Sequence, residues 1–361
     1  MLKGGSRVSR IKDIAALSGV SIGTVDRVLH NRGDVSPQSR ERVERAMAEL
    51  NYKPNLYASA LAQNRVEHRV VCLMPHAAVG SYWAEIEGGI WEAAQELVNL
   101  NLLLTIHYFD QYDSHSFIDE TQKVISAGGV KAIMFAPIFR EESIAFASSL
   151  REMGIAFSLL DSCIDVDGMV SFFGQDAYRS GRLAYRLLQL HVADGSDVLL
   201  FHSYRGGNRW STQSASRRKG FDDAMEVDRV KSLNVETVEL PMSNEEEALA
   251  RIEQIVLERP NANAIVIFNS RSYLIAEVLQ KLSKRDIAVI GFDALERNVE
   301  ALKSGYIAGL IGQHPKLQGY RSLKSLVDSM ILKQRVERMN YMPLDILIAE
   351  NIDDYRSFIF K

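Results

Sequence analysis

Arg27 is the side chain in this sequence best suited to reading a fixed chemical pattern. Its guanidinium is planar and offers paired donors that match the O6 and N7 acceptors on a guanine edge. Around it stand Ser21, Ile22, Gly23, Thr24 and Asp26. Ile22 could touch a thymine methyl, Asp26 could orient Arg27, and Thr24, Asn31 and Arg32 have the chemistry of phosphate contacts. A second set lies far along the chain. Asn269, Asp293 and Gln313 each follow an apolar run (IVIFNS, VIGFDAL, GLIGQHP), and Arg217 opens the segment RRKGFDDAM. Side chains just past the ends of apolar strands are where open α/β sheets hold ligands.

The stretch Ile11 to Asn31, IKDIAALSGVSIGTVDRVLHN, must position the first set. Ile11, Ile14, Ala15 and Leu17 have the spacing of a helix with one buried side. Gly19 supplies the backbone freedom of a sharp turn. Ser21 can cap a second helix, Ile22 to His30, with Val25, Val28 and Leu29 facing inward. Small Ala15 lets the two helices approach closely. This is the layout of a helix-turn-helix, whose second helix enters the DNA major groove by its N-terminal end. Ser36-Pro37 then starts a third helix with Val43, Ala46, Met47 and Leu50 at i, i+3, i+4 and i+7. Pro54 ends it, and Asn55 can cap residues 55–64, a segment too short to hold a helix alone in water.

The whole chain of 361 residues carries a net charge of −4, but the charge is unevenly placed. Residues 1–65 hold 11 Lys and Arg against 6 Asp and Glu, leaving 31 against 40 for the remainder. A basic module on an acidic body suits a nucleic-acid reader joined to a separate sensing domain. Lys3, Arg7, Arg10 and Lys12 form a basic arm before the first helix, placed to meet phosphates. The start MLKGGSRVSR lacks the apolar core of a secretory signal, and no run of 18 apolar residues occurs, so a cytoplasmic protein without a membrane partner is expected. Cys72 and Cys163, both in apolar runs, read as buried free thiols. Asp110, Asp113, His115 and Asp119 fit no common metal-ligand spacing and read as a polar loop entering a helix. No GxGxxG, P-loop or HExxH occurs. No metal, no cofactor and no catalytic residue is expected.

From Arg69 onward apolar runs alternate with helical patterns: 69–74, 102–109, 131–136, 155–160, 169–174, 197–201, 264–268, 287–292 and 306–312. Continuous apolar strands separated by amphipathic helices mean mainly parallel sheets covered on both faces. The length exceeds one such sheet, so two α/β lobes are expected.

The succession DIA…SGVS..TV.RVL.N, then Val35-Ser36-Pro37 and RERVERAMAELNYKP, resembles the DNA-binding headpiece of the lac repressor family over about the first 60 residues. The resemblance implies a fold of an all-α helix-turn-helix headpiece (1–54), a hinge helix and linker (55–67), and a two-lobed α/β domain (68–361) of the type I periplasmic-binding-protein kind that binds effector and dimerises. On that template the chain crosses three times between lobe one, 68–165 plus 314–340, and lobe two, 166–313 plus the C-terminal end. It also implies that Ser21, Ile22, Gly23, Thr24, Asp26, Arg27, Asn31 and Arg32 meet DNA, and that Asn55, Ala58 and Leu61 of the hinge enter the minor groove, where Leu61 would wedge between base pairs. The implied effector set is Tyr82, Trp83, Phe139, Arg140, Asp161, Arg217, Asn269, Asp293 and Gln313, around a sugar or sugar derivative. Arg140 and Arg217 facing one cleft would tolerate an anionic sugar. The expected partners are double-stranded operator DNA, a small effector and a second copy of the chain, since no leucine heptads follow the last apolar run to build a tetramer. Two other readings compete: a sugar-binding protein without regulatory role, and a carbohydrate-active enzyme.

Overall fold

The computed structural model describes residues 11–29, 33, 35–50, 67–203, 210–228, 231–241 and 243–359. The chain divides into two compact units between residues 64 and 65. In the first, α1 (Ile11–Ser18) and α2 (Ile22–Leu29) are joined through Gly19, whose φ of +66° favours glycine. α3 (Pro37–Glu49) begins behind Ser36, whose hydroxyl accepts from the Ser39 amide at 3.2 Å. Ile14, Val25 and Val43, one from each helix, are fully buried, with Ala15, Val28 and Ala46 beside them. Leu17 departs from its expected place and is 45% exposed. Ser18, four residues after Ile14 on the same stripe, takes the buried side and donates its hydroxyl to the Ile14 carbonyl at 2.6 Å.

The second unit holds two six-stranded sheets. The first runs β11-β5-β4-β3-β1-β2, with β1 (His68–Pro75), β2 (Leu102–Phe109), β3 (Ala132–Phe135), β4 (Ala156–Asp161), β5 (Met169–Gly174) and β11 (Met339–Tyr341), all parallel. The second runs β12-β10-β9-β8-β6-β7, with β6 (Asp197–Ser203), β7 (Asn234–Leu240), β8 (Ala264–Ile267), β9 (Ala288–Phe292), β10 (Gly309–Gly312) and β12 (Asp345–Leu347). Only β12 is antiparallel to its neighbour. The central strands are buried along their length because helices cover both faces.

The chain passes between lobes at residues 175–176, 313–314 and 342–344. The first crossing lies later than the expected boundary at 166, since β5 pairs with β4 in lobe one, Asp161 opposite Gly174. The boundary at 166 comes from the family template; the seven residues between β4 and β5 are in fact fewer than a parallel crossover normally takes. Two edge strands, β7 and β11, were not apparent as apolar runs. An edge strand meets solvent along one side, and β7 accordingly mixes Glu and Thr with Val and Leu.

Four helices frame the space between the lobes. α4 (Tyr82–Glu96) and α12 (Pro315–Met330) pack on lobe one, while α7 (Ala177–Gln189) and α8 (Thr212–Asp228) pack on lobe two. α7 and α8 touch backbone to backbone: a Cβ on Gly181 would lie 1.8 Å from the Arg217 carbonyl oxygen, and one on Gly220 1.9 Å from that of Tyr178. This contact fixes where α8 presents Arg217. The other elements are α5 (Ser114–Ala127), α6 (Arg140–Glu152), α9 (Glu245–Glu258), α10 (Ser272–Lys281), α11 (Glu296–Lys303) and α13 (Ile352–Ile359). Cys72 is buried in β1, whereas Cys163 lies just past β4 and is half-buried rather than inside an apolar strand; both are free thiols. No helix among the described residues is long and apolar enough to cross a membrane.

Candidate functional site

Two sites emerge, one in each unit. In the first, the Ser21 hydroxyl accepts from the Thr24 amide at 3.1 Å and so caps α2. That cap leaves Ser21, Ile22 and Gly23 exposed at the helix start, Ile22 at 56%. Thr24 and Asp26 are half-buried, and Arg27 is exposed one turn on, its Nε donating to the Gly23 carbonyl at 3.1 Å. The face that would meet a groove thus carries Ile22, Gly23 and Arg27 together. Asn31, Arg32, Asn55, Ala58 and Leu61 lie outside the described residues. The letters Gly19-Val20-Ser21-Ile22-Gly23 also match the GxSxG of a nucleophile elbow, but that motif needs a strand before the serine. Here a helix precedes Ser21, and its hydroxyl is engaged in the cap.

The second site lies where the strand ends of the two sheets face each other. It gathers Tyr82, Trp83, Asp161, Arg217, Asn269, Asp293 and Gln313, together with Gln111, Ile138, Ser211, Gln213, Phe268 and Ser270. Tyr82 and Trp83 open α4 behind Ser81, which caps it. Their rings meet edge to face at 5.3 Å. Asp161 ends β4 and Asp293 follows β9, both with φ of +68°. The Tyr82 hydroxyl donates to Asp161 Oδ1 at 2.6 Å, and Ser162 to Oδ2 at 2.9 Å.

Arg217 is the centre of the cluster and is 1% exposed. It donates to the Phe268 carbonyl at 3.0 Å, to Gln313 Oε1 at 2.9 Å and to Gln175 Oε1 at 3.3 Å. Its guanidinium carbon lies 3.8 Å from the Phe292 ring centroid, a stacked cation–π contact. Gln313 in turn donates to Asp293 Oδ2 at 2.8 Å. Asn269 donates to Ser203 Oγ at 2.5 Å and accepts from the Arg271 amide. Among the described residues, Arg217 Nε and Asp293 Oδ1 are buried without a hydrogen-bond partner. Burial pushes the Asp293 carboxyl up to about 7, against the opposing pull of Arg217 and Gln313. The Asp161 carboxyl is raised for the same reason, with Tyr82, Ser162, Arg217 and Gln213 opposing. Burial lowers Arg217 from its ordinary value, with both carboxylates opposing.

Phe139 and Arg140 do not line this space. Phe139 turns into the aromatic core of lobe one, 6.2 Å from the Phe109 and Phe117 rings, and Arg140 begins α6 exposed to solvent. The loop reaches the site through Ile138, whose carbonyl accepts from the Thr212 amide at 3.4 Å. Gln175 and Gln213 escaped sequence reasoning. Gln175 follows β5 as Gln313 follows β10, so the strand-end rule applied to the apolar run 169–174 would have found it. The Asp110–Asp119 segment makes a turn and a helix cap, Asp110 accepting from Tyr112 N and Asp113 from His115 N. No group of three metal-ligating side chains occurs among the described residues. A roomier groove of about 450 Å³ lies at the opposite ends of β6, β7 and β8. Its Arg259 is already paired with Glu236 at 2.5 Å, so chemistry favours the site between the lobes over size.

Residues 10–55 match the model of bacterial regulatory proteins of the lacI family, and residues 70–333 match the periplasmic binding protein domain. The HTH-type transcriptional regulator DegA of Bacillus subtilis is 27% identical over 293 residues, 78% of this chain and 81% of its own length. The sucrose operon repressor of Escherichia coli is 26% identical over 310 residues, 80% of this chain and 85% of its own. A structure from Bacteroides fragilis assigned to the LacI transcriptional regulators superposes with a TM-score of 0.75 at 35% identity, covering 80% of this chain and all of that one. These relatives are regulators rather than enzymes. The helix-turn-helix with its exposed recognition face and the paired α/β lobes are the two parts such a regulator requires, and the chain belongs to the lacI family of DNA-binding transcriptional regulators, with an effector domain of the periplasmic-binding-protein kind.

Proposed function

We propose that this regulator binds a neutral, polyhydroxylated small molecule, a sugar or sugar derivative, between its two lobes, and that this binding sets its affinity for operator DNA. The supporting observation is the buried polar cluster. Asp293 Oδ1 calls for a donor and Arg217 Nε for an acceptor, and a hydroxyl is both. Tyr82 and Trp83 add flat apolar area suited to the C–H face of a pyranose. Two carboxylates against one guanidinium leave the cluster short of positive charge. With Arg140 in solvent, this argues against the anionic ligand that two arginines in one cleft would have tolerated. The name of the sucrose operon repressor accords with the same ligand class.

On DNA, Arg27 reads a guanine edge, Ile22 contacts a base methyl, and Ser21, Gly23, Thr24 and Asp26 lie along the groove, with the linker near residues 55–67 joining headpiece to effector domain. The protein acts in the cytoplasm as a homodimer, so that two recognition helices meet two half-sites. A ligand alters operator affinity only if it binds one lobe arrangement better than the other. Calorimetric titration of the full-length protein with neutral and uronic sugars tests the ligand class. Binding of a neutral sugar with no heat from its uronic counterpart is the expected result, and the reverse pattern would refute it.

A further inference from the structure

Gln213, the second residue of α8, belongs to lobe two but reaches across to lobe one. Its Nε2 lies 3.0 Å from Asp161 Oδ1, 3.4 Å from the Asp161 carbonyl oxygen and 3.4 Å from Gln313 Oε1. The same amide therefore joins the lobe-one carboxylate to the glutamine that carries Arg217 and Asp293. Beside it the Thr212 amide and hydroxyl both donate to the Ile138 carbonyl at 3.4 Å, so the first turn of α8 is stitched to lobe one at two points. The space left among the lining side chains is about 60 Å³, room for a few waters, whereas small-molecule pockets occupy roughly 300–1,000 Å³. A carboxamide pairs a donor with an acceptor, as two neighbouring hydroxyls would. Gln213 thus lines this small space and takes one of the hydrogen-bonding positions on Asp161.

We propose that Gln213 is an internal stand-in for the effector: its amide holds the lobes together by bonding Asp161, and a ligand must displace it to bind. The proposal rests on the reading of this cleft as the effector site. Its consequence is competitive. Every factor by which the Gln213 contact favours the filled cleft weakens the apparent affinity for ligand by the same factor. One hydrogen bond to a carboxylate is worth a factor of about ten or more. Gln213 would then set the effector concentration at which the regulator responds, without being required for recognition.

The test uses the full-length protein with Gln213→Ala and Gln213→Asn; the second variant keeps a polar amide too short to span the cleft. Without added sugar, hydrogen exchange in peptides covering residues 159–164 and 212–217 should quicken about tenfold in both variants, while residues 70–75 keep the wild-type rate. Unchanged exchange at 159–164 would overturn the proposal. In parallel, wild type and variants are titrated with D-glucose, D-galactose and sucrose. Any of these that binds the wild type should bind both variants about tenfold more tightly, and weaker binding would show that Gln213 is a ligand contact and not a competitor. If none binds the wild type, the ligand class proposed above fails, and the exchange result alone decides whether Gln213 holds the lobes.

Discussion

Replacing Arg217 by methionine keeps the length of its stem and removes its charge. The guanidinium is 1% exposed, serves three acceptors and offsets Asp161 and Asp293, each 2% exposed. Arg217 touches neither carboxylate directly and balances them through space, and removing the positive member of such a buried set costs about 3–5 kcal/mol where the negative charge stays buried. The methionine side chain preserves most of the packing against Phe292, so that range is the expected loss at pH 8. The loss should depend on pH. Without its guanidinium the Asp293 carboxyl, already raised to about 7, rises further and holds its proton in the variant. Between pH 8 and pH 7 the penalty therefore shrinks, by at most about 1.4 kcal/mol, and below pH 7 it keeps that smaller value. Urea unfolding of wild type and Arg217→Met at pH 8 and pH 5.5 measures both effects. A loss under about 1 kcal/mol at pH 8, or an equal loss at the two pH values, would refute the charge balance drawn for the cleft.

Asp293→Asn isolates the other half of that balance. A carboxyl raised from 3.8 to about 7 contributes stability that is complete below pH 4 and lost as pH rises to 7. The melting temperature of the wild type should accordingly fall across pH 4–7 more steeply than that of the variant, and parallel curves would contradict it. Neighbouring glycines of α4 should respond with opposite signs. A Cβ at exposed Gly88 meets nothing within 4 Å, so Gly88→Ala should stabilise by ~0.5–1 kcal/mol. A Cβ at Gly89 would sit 1.9 Å from the Lys316 carbonyl oxygen, so Gly89→Ala should destabilise by ~1–3 kcal/mol. Denaturant midpoints of equal sign for the two variants would refute this packing. Arg27→Ala should cost ~1–3 kcal/mol of specific operator binding and relax the preference at one base pair. Anisotropy titrations showing unchanged discrimination would remove Arg27 from base reading.

What the sequence made legible was local. Gly19, the Ser21 cap and the apolar stripe on three helices settle the headpiece within about 40 residues, because each signal acts across a turn or less. The central strands announce themselves as apolar runs, being covered on both faces. Asp161, Asn269, Asp293 and Gln313 lie at or just beyond strand ends, and that position alone carries them to the cleft edge. The errors arose where a side chain's direction depends on tertiary packing. Three residues separate the end of β3 from Phe139, enough for the chain to turn its side chain into the lobe-one core and leave Ile138 at the cleft. Gln213 stayed hidden because its reach depends on how α8 is set against α7 through Gly181 and Gly220, a contact that residue spacing does not encode. Edge strands β7 and β11 were illegible for the converse reason, that one side of each faces water.

The central claim is that the headpiece selects a DNA sequence and the two-lobed domain governs that selection through a neutral sugar. Its most direct test is to select bound fragments from a random duplex pool with the full-length protein at low salt, with and without a mixture of neutral sugars. The expected result is a near-palindromic motif with two half-sites whose enrichment changes when sugars are present. Recovery of no common motif under either condition, or a motif whose enrichment no sugar alters, would contradict it.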